Sequence, residues 1–343
     1  MSRSGPGAPV VVNGSFWPQP VTGQQRYARE IGSRLEAGGL SLLRPPPAWS
    51  GSAARTWAWS QGPLPARTRG SVLVSLTSRA PVAHRRHVVT VHDLFPVTHP
   101  EWYSRRYAAF HAPLLRRLLR TAAAVVTVSA PVRDQVRALG LAPERTPVVV
   151  APNAAGAAFA GDAPTSATEL PFVPAGADGF LLAVGTLEPR KNLPRLVRAH
   201  QRLDDDVRRR HPLVLVGASA SIYAELDLPR DDRVVLAGFV TDAQLAAAYR
   251  RATAVVAPSL DEGFGLPLVE AVRSGAVLLA SDIPVFRWVA GDAATYVDPL
   301  DEADIARGLL AAVEGRVRPG PLPRTYDWET SAATVLDVAG SLA

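Results

Sequence analysis

Glu262 and Glu270 lie eight positions apart in the stretch Glu262-Gly263-Phe264-Gly265-Leu266-Pro267-Leu268-Val269-Glu270. Ionised carboxylates accept hydrogen bonds through both oxygens, which suits the diol of a ribose at Glu270 and sugar hydroxyls at Glu262. Gly263 and Gly265 permit close approach of backbone to a ligand. Pro267 suits the first position of a helix, whose unpaired N–H groups and positive dipole end, beginning near Leu266, would favour a phosphate. The same residues also describe a capped helix with acidic groups near its start. Taken alone, the segment leaves both readings open.

A second candidate follows the apolar run FLLAVG, which ends at Gly185: Thr186-Leu187-Glu188-Pro189-Arg190-Lys191-Asn192. Lys191 is the single lysine in a chain that otherwise takes its positive charge from arginine. The planar fork of Arg190 beside the point charge of Lys191 suits a diphosphate. A solvated basic turn capped by Asn192 is the alternative. In the first half, His92 ends the run HVVTVHD, and Gly23 stands near the start of the first helix, where backbone amides could meet phosphate. Asn13 and Gly14 follow the first strand, and Asn153 reads as a turn residue near a hinge.

The elements that must position these residues alternate in type. Val10–Val12, SVLVSL, HVVTVHD, AVVTVS and TPVVVAPN read as strands of the first half, and FLLAVG, PLVLVG, VVLAGFV, AVVAP and AVLLAS as strands of the second. Helices are expected from Thr22, where Thr22 and Gln25 have capping-box spacing, from Trp102 to Thr121, from about Leu193, across DAQLAAAYRRA, and over roughly 301–314 and 327–342. Ser129 is expected to cap a further helix. The Pro- and Trp-rich segment 44–70 shows no periodicity and reads as a loop. Apolar strands alternating with amphipathic helices imply two α/β domains with parallel sheets, a first over 1–165 and a second over 166–343, the last helix packing back on the first domain. Ligands would then sit at the carboxyl ends of the strands, across a cleft.

Composition narrows the class. A chain of 343 residues without cysteine has no disulfide, thiolate metal site or cysteine nucleophile. No apolar run reaches the length of a membrane span and no secretory leader is read, so a cytoplasmic protein is expected. Residues 1–160 hold nineteen arginines against six acidic residues, while the remainder carries seven more acids than bases. This asymmetry suits an anionic partner for the first half, although a general bias toward arginine gives the same pattern.

The strings VGTLEPRKNLPRLVRAH, LVLVG, LAGFV and APSLDEGFGLPLVEA, together with TGQQRYARE, TVHDLFPVTHPEW and VVTVSAPVRDQV, resemble the retaining glycosyltransferases of family 4 over nearly the whole chain. The resemblance implies the GT-B fold, two Rossmann-like domains with a nucleotide-sugar donor held mainly by the second. It assigns Arg190 and Lys191 to the donor diphosphate, Glu270 to the ribose and Glu262 to the transferred sugar. Gly185, Thr186 and the backbone of Gly263, Phe264, Gly265 and Leu266 would contact sugar and phosphate. Gly238, Phe239 and Val240 would meet the base, Gly23 the diphosphate, and His92 the sugar. It further implies transfer with retention, no metal and no cofactor beyond the nucleotide-sugar co-substrate. Asp204-Asp205-Asp206, near a helix end and before three arginines, reads as solvated surface rather than a metal motif. Trp288 and Ala276 depart from the family's usual glutamate and proline, which leaves the donor unassigned; a GDP-mannose type is one option.

The acceptor is expected to be a glycan, lipid-linked or natural-product molecule, which the sequence leaves open. Arg105, Arg106, Arg116, Arg117 and Arg120 on the helix from Trp102 could rest on anionic lipid as a peripheral membrane contact, or merely be solvated while the apolar face joins the core. Trp49, Trp57 and Trp59 could face an acceptor or pack on their own domain. A GT-B protein with another activity, such as epimerisation or phosphorolysis, is the alternative. A nicotinamide dehydrogenase lacks support because no G-x-G-x-x-G follows a strand. A nucleic-acid binder lacks its recognition motifs.

Overall fold

The computed structural model describes residues 8–160, 168–218, 220 and 222–343. They form two compact units, one of the described residues up to 100 with 106–153 and 327–343, the other of 101–105 and the described residues of 154–326. The expected boundary at 165/166 lies outside the described residues.

The first unit is built on six parallel strands: β1 (Val10–Asn13), β2 (Ser41–Leu43), β3 (Val72–Ser75), β4 (His87–Val91), β5 (Ala124–Thr127) and β6 (Val148–Val150), in the order β2-β1-β3-β4-β5-β6. β3, β4 and β5 are buried along their whole length, as continuous apolar runs between two helical layers must be. The chain leaves β1 toward β2 and returns past it to β3, so β1 and β3 are the strands where its direction across the sheet reverses. There the Asn13 amide donates to Ser75 Oγ at 3.0 Å.

Helix Gly23–Ala37 starts one residue later than expected. Thr22 turns its hydroxyl to the Gln25 side chain, so the capping box does not form. Segment 44–70 is not a loop but three short helices, Pro47–Ser50, Ala53–Gln61 and Pro63–Arg67. Ser52 caps the second by accepting from Arg55 N at 3.2 Å, and Trp59 and Leu64 are fully buried against Leu73. The helices are too short for a periodicity to emerge. The helix expected from Trp102 begins at Arg105, after a separate turn over Pro100–Trp102. Ser129 caps Ala130–Ala138 as expected, accepting from Val132 N. The last helix, Trp328–Gly340, belongs to this unit and packs on Gly23–Ala37.

The second unit also holds six parallel strands: β7 (Leu181–Val184), β8 (Leu213–Val216), β9 (Val234–Gly238), β10 (Ala254–Ala257), β11 (Leu278–Ser281) and β12 (Thr295–Val297). Their order, β12-β11-β10-β7-β8-β9, reads 3-2-1-4-5-6 from the far edge when counted from β7. This is the doubly wound order in which ligands sit beyond the carboxyl ends of the two central strands, here β7 and β10. Asp204-Asp205-Asp206 opens its own short helix, Asp205–Arg210, rather than ending the previous one, and Asp206 pairs with Arg209 and Arg210.

Candidate functional site

The chain leaves β7 through Gly185, whose φ of 151° is open to glycine. A Cβ there would stand 2.7 Å from Lys191 Cε, and a Cβ on Gly217, after β8, only 1.9 Å from the Gly185 carbonyl oxygen. Bare backbone at both positions lets these loops touch and lets Lys191 lie across the strand end. One helical turn, Pro189–Lys191, then meets Asn192 in the left-handed region at φ 57°. The buried Asn192 amide donates to Pro258 O at 3.0 Å and to Pro299 O at 2.7 Å. One side chain thereby ties the loop after β7 to the loops after β10 and β12.

Beyond β10 the chain runs through Ser259, Asp261 and Glu262 to Gly265, which takes φ 87° and opens helix Leu266–Arg273. Leu266 is the first helical residue and Pro267 the second, one later than expected, where a missing N–H is still costless. A Cβ on Gly265 would come within 2.6 Å of the Phe286 ring. The helix start is thus held in place by glycine conformation and aromatic packing together.

Glu262, 7% exposed, accepts from Lys191 Nζ at 2.7 Å and from Ser259 Oγ at 2.9 Å on one oxygen, while its other oxygen pairs with Arg190. Burial alone would raise this carboxyl. The charges of Arg190 and Lys191, with the two hydrogen bonds, outweigh it and hold the group at about 2. Arg190 also donates to the buried Glu188 at 2.6 Å and to Asp261 O at 3.2 Å. A recess lies at this end of β7, β8 and β10, lined by Gly185, Lys191, Ser259, Glu262 and Gly265 among apolar neighbours. A cation, a helix start and a carboxylate thus share one opening, a combination able to receive an anion bearing hydroxyls.

Gly185, Lys191, Glu262 and Gly265 come together here, whereas Arg190 and Glu270 do not line the recess. Glu270 is 4% exposed and accepts from the Tyr249 hydroxyl at 3.2 Å. Thr186 is half-buried in the loop after β7, and Gly263 and Phe264 are buried in the loop leading to Gly265. Phe264 meets Tyr326 edge to face, 5.3 Å between ring centres, and Trp288 beside them carries the Arg324 guanidinium 4.3 Å from its ring centre. At the end of β9, Gly238 takes φ 66°, Val240 is buried and Phe239 is 85% exposed.

His92 and Gly23 belong to the first unit. Gln24, beside Gly23, donates to Asp93 at 3.3 Å, and Tyr27 packs edge-on against His92 at 5.0 Å. A Cβ on Gly23 would meet nothing within 4 Å, so neither conformation nor packing requires glycine there. Burial lowers His92 to about 4, partly offset by its bond to Leu76 O, and the ring is neutral at pH 7. Because the Leu76 carbonyl 3.0 Å from Nε2 can only accept, Nε2 carries the proton and Nδ1 is an acceptor. Asn153 is buried at the last position of the first unit before the crossing.

Glu188 and Ser259 were not expected at the site, and Asn192 was expected only as a cap. Nothing in the sequence says which carbonyl or cation each will face. Only the position of Glu188 and Asn192 within the same strand-end loop could have drawn attention to them.

A family model described as glycosyl transferases group 1 matches residues 172–325, and one described as glycosyltransferase family 4 matches 66–155. The O-antigen chain mannosyltransferase B of Escherichia coli is 29% identical over 235 residues, 67% of this chain and 61% of that protein. The chain therefore spans about three-fifths of that relative. Among solved structures, the sucrose-phosphate synthase of Thermosynechococcus elongatus aligns with TM-score 0.70 at 16% identity, over 98% of this chain and 99% of that one. Anabaena HepE in complex with UDP-glucose aligns with TM-score 0.59 at 15% identity, over 97% and 98%. These likenesses share the GT-B fold.

Proposed function

As a chain that belongs to glycosyltransferase family 4, this protein, we propose, transfers a hexose from a nucleoside-diphosphate sugar to a hydroxyl acceptor with retention of configuration and without a metal. The observation that carries the reading is the meeting of Lys191, Glu262 and the start of helix Leu266–Arg273 at the switch between β7 and β10. Lys191 and the helix amides receive the donor diphosphate, and Glu262 accepts from hydroxyls of the transferred sugar. Glu270 holds the ribose, which requires Tyr249 to share or release its carboxylate. The exposed Phe239 offers its face to the base. Within the first unit, unprotonated Nδ1 of His92 is an acceptor suited to a sugar hydroxyl, and Gly23 leaves a helix start bare of any side chain.

In the transfer, the acceptor oxygen bonds to the anomeric carbon on the face from which the donor phosphate leaves. The electron pair of the breaking C–O bond passes to the phosphate oxygen, and the acceptor proton follows it. Lys191 and the helix amides stabilise the charge growing on the leaving group, an electrostatic contribution worth several kcal/mol in comparable sites. A mannose donor is favoured by the mannosyltransferase relative, and GDP is the carrier proposed for it. A thermal-shift series with GDP, UDP, ADP and their sugars tests this: stabilisation by GDP and GDP-mannose above the others is expected. Silence to every nucleotide would refute the donor reading, and loss of turnover in EDTA would refute metal independence.

A lipid-linked acceptor is favoured by the outer face of helix Arg105–Thr121, where Arg106, Arg116, Arg117 and Arg120 are exposed with no acidic residue in the helix. Phe110, 47% exposed, meets the ring of the exposed Trp57 at 5.6 Å. Basic residues around exposed aromatic rings suit an anionic lipid surface, although no helix among the described residues is long and apolar enough to cross a membrane. Co-sedimentation with vesicles containing phosphatidylglycerol, lost in Trp57→Ala/Phe110→Ala, is expected; equal binding to neutral vesicles would contradict it.

A further inference from the structure

Of the two neighbouring cations, the structure assigns Lys191 alone to the ligand, and Arg190 with Glu188 to a fixed brace that holds Glu262 for the transferred sugar. This rests on the donor reading above and divides the labour within it. The Arg190 guanidinium is already saturated by protein: it pairs with Glu262, donates to Glu188 at 2.6 Å and donates to the Asp261 carbonyl at 3.2 Å. Its backbone joins the same loop, since Arg190 O accepts from Leu260 N at 2.8 Å. The side chain is 13% exposed, Glu188 2% and Glu262 7%, so moving the guanidinium onto a phosphate would strand the buried Glu188 and, with Lys191 also on the ligand, leave Glu262 only Ser259. Leaving such a charge unpaired costs more than one new phosphate contact returns.

Lys191 is differently placed. It lines the recess and Arg190 does not. Among the described residues, its ammonium partner is the Glu262 oxygen that Ser259 also serves. If the ammonium swings to a diphosphate, that oxygen keeps Ser259 and gains room for a sugar hydroxyl, while the other oxygen stays on Arg190. Donor binding therefore exchanges one partner of Glu262 and leaves the brace intact. Glu188 is a positioning residue: it fixes the guanidinium that fixes the carboxylate.

The test measures nucleoside-diphosphate binding by calorimetry and donor turnover in Arg190→Gln, Glu188→Gln and Lys191→Gln. Arg190→Gln and Glu188→Gln should bind the diphosphate within about threefold of the parent while kcat falls about 100-fold, the scale of a misplaced reacting group. Lys191→Gln should weaken the binding itself about 10–100-fold. The charged and polar groups facing Glu262 are Glu188, Arg190 and Lys191 from the loop after β7, and Ser259 and Asp261 from its own. Losing Arg190 removes one cation that depresses this carboxyl, so the acid limb of kcat should move toward neutral pH, a change that simple loss of stability does not give. If Arg190→Gln fails to fold, Glu188→Met/Arg190→Met, which replaces the buried pair by apolar side chains of similar size, gives the same binding measurement. Diphosphate affinity weakened as much in the Arg190 variants as in Lys191→Gln would overturn the brace. No diphosphate binding by the parent would overturn the donor reading, and the brace with it.

Discussion

Asn192 is where a single side chain has the most to hold. Asn192→Ala removes the donor to Pro258 O and Pro299 O and places alanine at φ 57°. Pro299 O keeps Arg195 at 3.3 Å, so the Pro258 carbonyl carries most of the loss. An orphaned buried acceptor costs about 1–3 kcal/mol and the left-handed conformation about 1–2 kcal/mol for alanine. The sum is about 3 kcal/mol, which lowers a melting midpoint by about 6–12 °C in a unit of this size. The assay is thermal unfolding followed by tryptophan fluorescence and circular dichroism, read at the transition of the second unit. Diphosphate affinity should fall as well, because the clamp holds Lys191 opposite the loop of Glu262. A variant melting within about 1 °C of the parent would refute the reasoning, since it would mean the three loops keep their places without the clamp.

Three further outcomes follow from the packing and the buried histidines. Gly217→Ala places a Cβ 1.9 Å from the Gly185 carbonyl, backbone against backbone, and at φ 145°; a loss of about 3 kcal/mol or more is expected, and an unchanged melting point would contradict the close approach. Trp59→Ala empties a fully buried site and should cost about 3–5 kcal/mol in a denaturant titration; a loss below about 1 kcal/mol would return segment 44–70 to a loosely packed loop. Burial lowers His92 to about 4, and burial with the neighbouring His84 lowers His87 to about 3, from 6.5. The unfolded chain therefore binds more protons below pH 6.5, and stability falls as the pH drops from there toward about 4, by a few kcal/mol in all. Glu262 adds its own loss only below about 4.5, as its carboxyl is protonated toward about 2. A stability profile flat between pH 7 and 4.5 would contradict burial of the neutral rings.

Ten of the twelve strands were legible because each lies in a continuous apolar run, buried on both faces where the strand is central. The two that were not, Ser41–Leu43 and Thr295–Val297, are three-residue edge strands with exposed first residues, and only pairing to β1 and β11 makes them strands. Segment 44–70 failed for a related reason, since Trp59 and Leu64 are organised by Leu73 on a distant strand. At the site, Lys191 and Glu262 were each visible at a strand end. Their meeting depends on β7 and β10 being neighbours, which follows from the reversal of chain direction between β9 and β10. The partners of Arg190 were not visible. A guanidinium beside a lysine suggests a shared anion, and only the buried positions of Glu188 and Glu262 reveal that the protein itself supplies it.

The central claim is that the recess at β7 and β10 receives a nucleoside diphosphate through Lys191, and titration calorimetry of GDP and UDP against the parent and Lys191→Gln tests it most directly. Binding of one diphosphate by the parent, weakened about 10–100-fold in the variant as a charged hydrogen bond is lost, is the expected result. Equal affinity in the two proteins, or no binding by the parent, would contradict the account.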